Sequence, residues 1–206
     1  MDIEKLVQLL KSQYTVNVEK KSELLLIIYP KNKDGTTNLD MGFKLVSVGH
    51  AFYLYELQRN QEYKLAQFNN EQMGLLGLYT ALEGTYGDIK VEESIKNKLR
   101  NIDKDVQQAI TILNEKVSNH LFSILAEKRG AINVTLNDSK YDIYYLSLLD
   151  EKVIISESRP FSSALVVTYN FSKKLETFDE FINALEFDFI PSISDIEQLK
   201  RLFIGK

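Results

Sequence analysis

The 206-residue chain has no cysteine and no tryptophan, two histidines and three prolines. Without cysteine there is no disulfide, no thiolate metal site and no cysteine nucleophile, which fits a reducing cytosol. Histidine is confined to His50 and His120. Neither has a second histidine or an acid at ligand spacing, so the converging donors of a metal centre are missing, and neither a metal nor a cofactor is expected. No G-x-S-x-G, P-loop or dinucleotide fingerprint occurs. Nor does any window approach the roughly 20 apolar residues of a membrane span. The opening MDIEKLVQLLKSQY breaks its apolar run with Glu4, Lys5 and Gln8, unlike a signal peptide. These absences lead us to expect a soluble, cytoplasmic protein with no enzyme activity.

What is present is ordinary globular material: 44% hydrophobic, 26% charged, with 11 Tyr and 11 Phe to build cores. Net charge is −4. Such mild acidity argues against direct nucleic-acid binding, which relies on cations to neutralise phosphates.

The pattern reads as one unit written twice. Asp2-Ile3 and Asp105-Val106 each open an amphipathic stretch, and Ala81-Leu82-Glu83 and Ala184-Leu185-Glu186 each close one, at a constant offset of about 103 positions. Ile3, Leu6, Val7 and Leu10 predict a helix over 2–13 capped by Asp2. Strands are predicted at Thr15–Glu19, Leu24–Tyr29, Phe43–Val48, Ala51–Leu57 and Tyr63–Phe68, with turns at Lys33-Asp34-Gly35, Gly49 and Arg59-Asn60. A helix capped by Asn69 or Asn70 should then run to Glu83, ended by Gly84. Gly74 and Gly77 within it point to close helix packing. In the second half, strands are predicted at Leu121–Glu127, Ala131–Leu136, Tyr141–Leu148, Lys152–Glu157 and Ala164–Tyr169. Two capping boxes follow, Thr177 with Glu180 and Ser194 with Glu197, each opening a helix. The expectation is an α+β fold of two similar α–β-meander–α units, each an antiparallel sheet with helices on one face. The first unit covers 1–88 and the second 105–206, the latter with a short C-terminal helix; a helical connector, 89–104, joins them.

Candidate interaction residues follow from charge. Between Leu175 and Leu199 stand Glu176, Asp179, Glu180, Glu186, Asp188, Asp195 and Glu197, with no Lys or Arg. Such a run either builds a field that steers a basic partner or serves solubility and helix N-termini. Lys96, Lys98, Arg100 and Lys104 form a basic patch without interleaved aromatics, which reads as exposed helix charge. Tyr53 with Tyr55, and Tyr141 with Tyr145, share strand faces and offer either interface area or sheet packing. The adjacent acids Glu92-Glu93, Asp150-Glu151 and Asp179-Glu180 point apart on regular structure and read as solvated surface. An enzyme would need a polar pocket made from Glu56, Arg59, Glu157 and Arg159.

The N-terminal third carries Met1, Ile3, Leu6 and Lys11, then Tyr14-Thr15-Val16, the strand Leu25-Leu26-Ile27-Ile28 and the Asp34-Gly35 turn. With Ile155-Ser156-Glu157-Ser158, these resemble the small Cas9-blocking anti-CRISPR proteins of Listeria prophages. The likeness spans about 40 of 206 residues. This chain is more than twice as long, and only Asp34 has a counterpart among that family's acidic contacts. The resemblance implies a non-enzymatic inhibitor that binds a protein with a basic surface in a bacterial defence nuclease complex and occludes it sterically or electrostatically. An immunity protein that neutralises a co-encoded toxin fits the same composition.

Overall fold

A computed structural model describes residues 2–20, 23–59, 61–185 and 190–206. The fold is α+β and divides into two compact units, the first running to Tyr86 and the second beginning at Gly87.

The first unit opens with α1 (Ile3–Leu10), capped as expected: the Asp2 carboxylate accepts from the Lys5 amide at 2.8 Å. Five strands follow, β1 (Tyr14–Lys20), β2 (Leu24–Pro30), β3 (Met41–Val48), β4 (Ala51–Gln58) and β5 (Gln61–Phe68). They pair in sequence order, every pair antiparallel. The β3–β4 turn uses Gly49 at φ 62°, and Arg59 takes φ 47° between β4 and β5. The last element of the unit, α2 (Glu71–Tyr86), starts where Asn70 accepts from the Met73 amide. Gly84 does not end it. The helix continues to Tyr86 with Gly84 buried inside it, because a glycine away from a positive-φ cap is simply a small helical residue.

Gly74 and Gly77 fix how α2 sits. A Cβ on Gly77 would overlap the Phe68 ring, and one on Gly74 would stand 3.0 Å from the Phe52 Cβ. The helix backbone therefore lies directly on the aromatic side chains of β4 and β5. Leu26, Ile28, Phe43, Leu45 and Leu54 from the same sheet face, with Leu75, Leu78 and Leu82 from α2, are all 2% exposed or less.

The second unit begins with α3 (Glu93–Arg100) and α4 (Val106–Leu113). The expected connector is thus part of a folded core. Ile95, Leu99 and Ile102 pack in one cluster with Ile132, Ile143 and Leu165, and the Glu92 amide donates to the Tyr169 hydroxyl at 3.1 Å. The strands are β6 (Phe122–Ile124), β7 (Ala131–Asn137), β8 (Lys140–Leu146) and β9 (Lys152–Arg159), in that spatial order. The helices α5 (Phe161–Ala184) and α6 (Ile193–Ile204) complete the unit.

This sheet departs from the expected antiparallel meander. β6 is short and lies parallel to β7. The strand expected at Ala164–Tyr169 is helical, and the Thr177–Glu180 box falls in mid-helix, since α5 runs unbroken for 24 residues. The alternation of Leu165, Val167 and Tyr169 suggested a strand. The longer pattern of buried residues at 161, 164, 165, 168, 169, 172, 175 and 178 has helical spacing, and it prevails. The C-terminal helix does start at a capping box, made by Ser192 and Asp195 rather than Ser194 and Glu197. The two units share the order helix, antiparallel strands, helix, and α1 and α4 lie 103 positions apart. The second unit puts helix where the first has β5, and a parallel pair where the first has β1 and β2.

Gly77→Ala is expected to strain the contact with Phe68 and destabilise the protein by about 1–3 kcal/mol, as core overpacking does. Urea or thermal denaturation measures this directly; an unchanged midpoint would mean that α2 does not lie on Phe68 as described.

Candidate functional site

Strand alternation sends every second side chain of the five-stranded sheet away from the helices. On β2, Leu24, Leu26 and Ile28 are buried under α1 and α2, while Leu25, Ile27 and Tyr29 point to the other face and stay half-buried. Register aligns these with Lys44 and Val46 of β3 and with Tyr53, Tyr55 and Leu57 of β4. Lys64 and Gln67 of β5 continue the rows. No described element of the first unit covers this outer face.

The face is organised. Lys64 Nζ stands 4.6 Å from the Tyr53 ring centroid and Lys44 Nζ 5.2 Å from that of Tyr55, within the range where a ring's negative face attracts a cation. Lys44 also pairs with Glu62 at 2.6 Å, and Lys64 donates to Gln67. Gly42 lets Tyr29 lie flat across β3, since a Cβ there would come 2.6 Å from the Tyr29 ring. The result is a surface of three tyrosines and four aliphatic residues with its lysines held over rings.

The tyrosine expectation therefore divides. Tyr53 and Tyr55 share the open face. Tyr141 is 8% exposed with its ring 4.8 Å from that of Phe161, and Tyr145 is fully buried. The aliphatic part of the face went unnoticed in the sequence. Its signal was the unbroken run Leu-Leu-Leu-Ile-Ile-Tyr at 24–29, which marks a strand apolar on both faces.

The acidic segment is distributed differently. Glu176 pairs with Lys173 and accepts from the Ser118 hydroxyl. Asp195 is consumed by the α6 cap, accepting from the Ser192 amide at 2.9 Å. Glu197 is completely buried; its Oε2 accepts from the Tyr145 hydroxyl at 2.7 Å, and Lys200 Nζ stands 3.9 Å from both Glu197 and Asp179. Glu180 is exposed. Glu186 and Asp188 lie outside the described residues. The neutralising lysines, Lys173 and Lys200, sit just beyond the two ends of the acid-rich window, so the structure joins Asp179, Glu197 and Lys200 as a packed cluster beside Phe178. Burial and the neighbouring Glu197 carboxylate push the Tyr145 hydroxyl far above its ordinary pKa, so it stays a neutral donor.

The remaining candidates fall as follows. Lys96, Lys98 and Arg100 form ion pairs with Glu93 and Glu115, while Lys104 is exposed at φ 61°. Glu92 pairs with Lys116, and Asp150 with Arg129. His50 and His120 are exposed in turns, and the described residues contain no group of three or more acids or histidines able to hold a metal ion. Glu56 is half-buried and accepts from Gln58, with Arg59 beyond it at the end of β4. In the second unit Glu157 is exposed and Arg159 donates to Ser156. Among the described residues no helix is long and apolar enough to cross a membrane. Comparison with protein-family models, curated proteins and solved structures gives no match.

Tyr145→Phe leaves the buried Glu197 carboxylate without its donor and is expected to cost about 1–3 kcal/mol of stability. Glu180→Gln, on exposed surface, should stay within about 0.5 kcal/mol. Urea denaturation of the two variants checks both; equal effects would contradict the placement of these acids.

Proposed function

We propose that the chain is a non-enzymatic protein inhibitor that works by steric occlusion, with its partner docking on the outer face of β2–β4. The observation that carries this reading is the apolar strand β2, whose second face, Leu25, Ile27 and Tyr29, is half-exposed where the first is buried. A contiguous aromatic and aliphatic sheet face edged by polar groups is the composition of a protein interface core with its rim. Tyrosines there contribute much contact area at small entropic cost.

The N-terminal resemblance to phage anti-CRISPR proteins supplies the target class: a nuclease complex of bacterial defence, met in the host cytoplasm. Electrostatic occlusion by the acid-rich segment draws less support than steric covering, because Glu176, Asp195 and Glu197 already have partners within the chain. The lysines on the open face favour a second reading. Lys44 and Lys64 suit an acidic or mixed protein surface better than a basic nucleic-acid channel, as in an immunity protein that neutralises a co-encoded toxin.

Two assays separate the readings: inhibition of DNA cleavage by a CRISPR effector, and rescue of growth in cells expressing the neighbouring toxin. In whichever assay the chain is active, the double substitution Tyr53→Ala, Tyr55→Ala is expected to raise the amount needed at least about tenfold with little change in melting temperature. Full potency in the doubly substituted, folded chain would remove this face as the docking surface.

A further inference from the structure

β6 is an edge strand of the second unit's sheet, and its pairing with β7 fixes which of its backbone groups face outwards. The Leu121 carbonyl accepts from the Ile132 amide at 2.9 Å, and the Leu125 amide donates to the Val134 carbonyl at 2.8 Å. Residues 121, 123 and 125 therefore turn their amides and carbonyls towards β7. By alternation, Phe122 and Ile124 turn theirs away from it. Among the described residues no hydrogen-bond partner stands against those outward groups. Proteins commonly blunt such an edge with charge, proline or a bulge. β9, at the other edge, is blunted: its register slips against β8, and Lys206 Nζ donates to the Ile155 carbonyl at 3.3 Å. Phe122-Ser123-Ile124 carries no charge or proline and pairs without a slip.

A groove of about 330 Å³ borders this strand. α4 lines it through Ile110 and Asn114, and the chain after β6 lines it through Ala126 and Lys128. Leu125, at φ 61°, an uncommon conformation for a leucine, turns the chain out of β6. Phe122 and Ile124 also line the groove and are only 4% and 7% exposed, so the edge is recessed. The sheet edge of a second folded copy arrives with its neighbouring strands attached and cannot enter so narrow a space; one extended strand can. The two faces of such a strand meet different chemistry. Phe122 and Ile124 belong to the core cluster, against which Ile110 packs. Ser123 is on the opposite face beside Asn133, whose side chain accepts from the Lys128 amide at 2.7 Å. Lys128 alone is charged among the described residues lining the groove, and its Nζ donates to the Asn119 carbonyl at 2.8 Å rather than to a carboxylate.

We infer that the β6 edge binds one extended segment of a partner protein by strand addition, and that the segment reads apolar, acidic, apolar. Main-chain bonds to Phe122 and Ile124 hold it in place. Its apolar side chains share the face of Phe122 and Ile124 and meet Ile110. Its carboxylate lies on the face of Ser123 and Asn133, where Lys128 supplies a charge-assisted hydrogen bond. The groove shares no residue with the tyrosine face of the first unit, so failure of either proposal leaves the other standing.

NMR titration of the whole chain tests this with acetyl-Thr-Val-Glu-Val-Thr-amide, with the same peptide carrying Lys for Glu, and with the first peptide N-methylated at both valines and the glutamate. N-methylation keeps the side chains and removes the strand donors. Saturable binding of the acidic peptide is expected, with amide exchange at Phe122 and Ile124 slowed at least about tenfold and exchange at Ser123 and Leu125, which face β7, little changed. Lys128→Glu should weaken the acidic peptide at least about fivefold and reverse the preference between acidic and basic peptides. No saturation, equal affinity for the N-methylated peptide, unaltered exchange at Phe122 and Ile124, or unchanged affinity in Lys128→Glu would overturn the inference. So would a dimer of the free chain in analytical ultracentrifugation with those two amides already protected, which would make the edge a contact between copies. Far-ultraviolet circular dichroism confirms that the variant is folded.

Discussion

The close approach of α2 to the five-stranded sheet is the contact on which the first unit depends. It is possible only because positions 74 and 77 carry no side chain above Phe52 and Phe68. A helix seated that low buries the middle of one sheet face and, with α1, places both helices of the unit on that side. Buried leucines and phenylalanines there supply the hydrophobic stabilisation, at about 25 cal/mol per Å² of apolar surface removed from water. Among the described residues of the first unit, the same geometry leaves two surfaces without a covering element. One is the outer face, where β2 is as apolar as on its inner face. The other is the end of the inner face past Tyr86.

The second unit spends its polar groups differently. Its acids and bases are largely matched: Glu92 with Lys116, Glu93 with Arg100, Glu115 with Lys98, Glu151 with Arg201. At exposed sites such pairs contribute little to stability, yet they leave less unbalanced charge for a partner. Its buried polar cluster, Tyr145, Glu197 and Lys200, is internal and helps dock α6 beside β8 and α5.

Much of this was legible from residue order. The first unit could be read almost element by element, because Gly49, Pro30 and Asn70 punctuate it and each strand alternates or runs apolar. The second unit misled most in its strands, for physical reasons. Leu165, Val167 and Tyr169 have strand spacing over five residues, and only the wider window out to Phe178 shows the helical stripe. Direction of pairing is not written in the three residues of β6, whose parallel register follows from where β7 already lies. Charge misled as well. The acid-rich window seemed unbalanced because its counter-ions, Lys173 and Lys200, lie outside it in sequence and are brought in by the helical turn. The face of β2–β4 was half visible as a tyrosine pair; Leu24–Tyr29 reads only as a strand, since sequence does not say how many faces of a sheet will be covered.

On the proposed reading, the outer sheet face of the first unit is open in the free chain and becomes covered when a partner binds. Hydroxyl-radical footprinting with mass spectrometry reads this side chain by side chain. In the free protein, Tyr29, Tyr53, Tyr55 and Leu57 should be modified well above the buried Tyr14, Tyr145 and Tyr169, and adding the inhibited effector or toxin should protect the first group alone. Equal protection of both groups in the free chain, or unaltered modification of Tyr53 and Tyr55 in the complex, would contradict it.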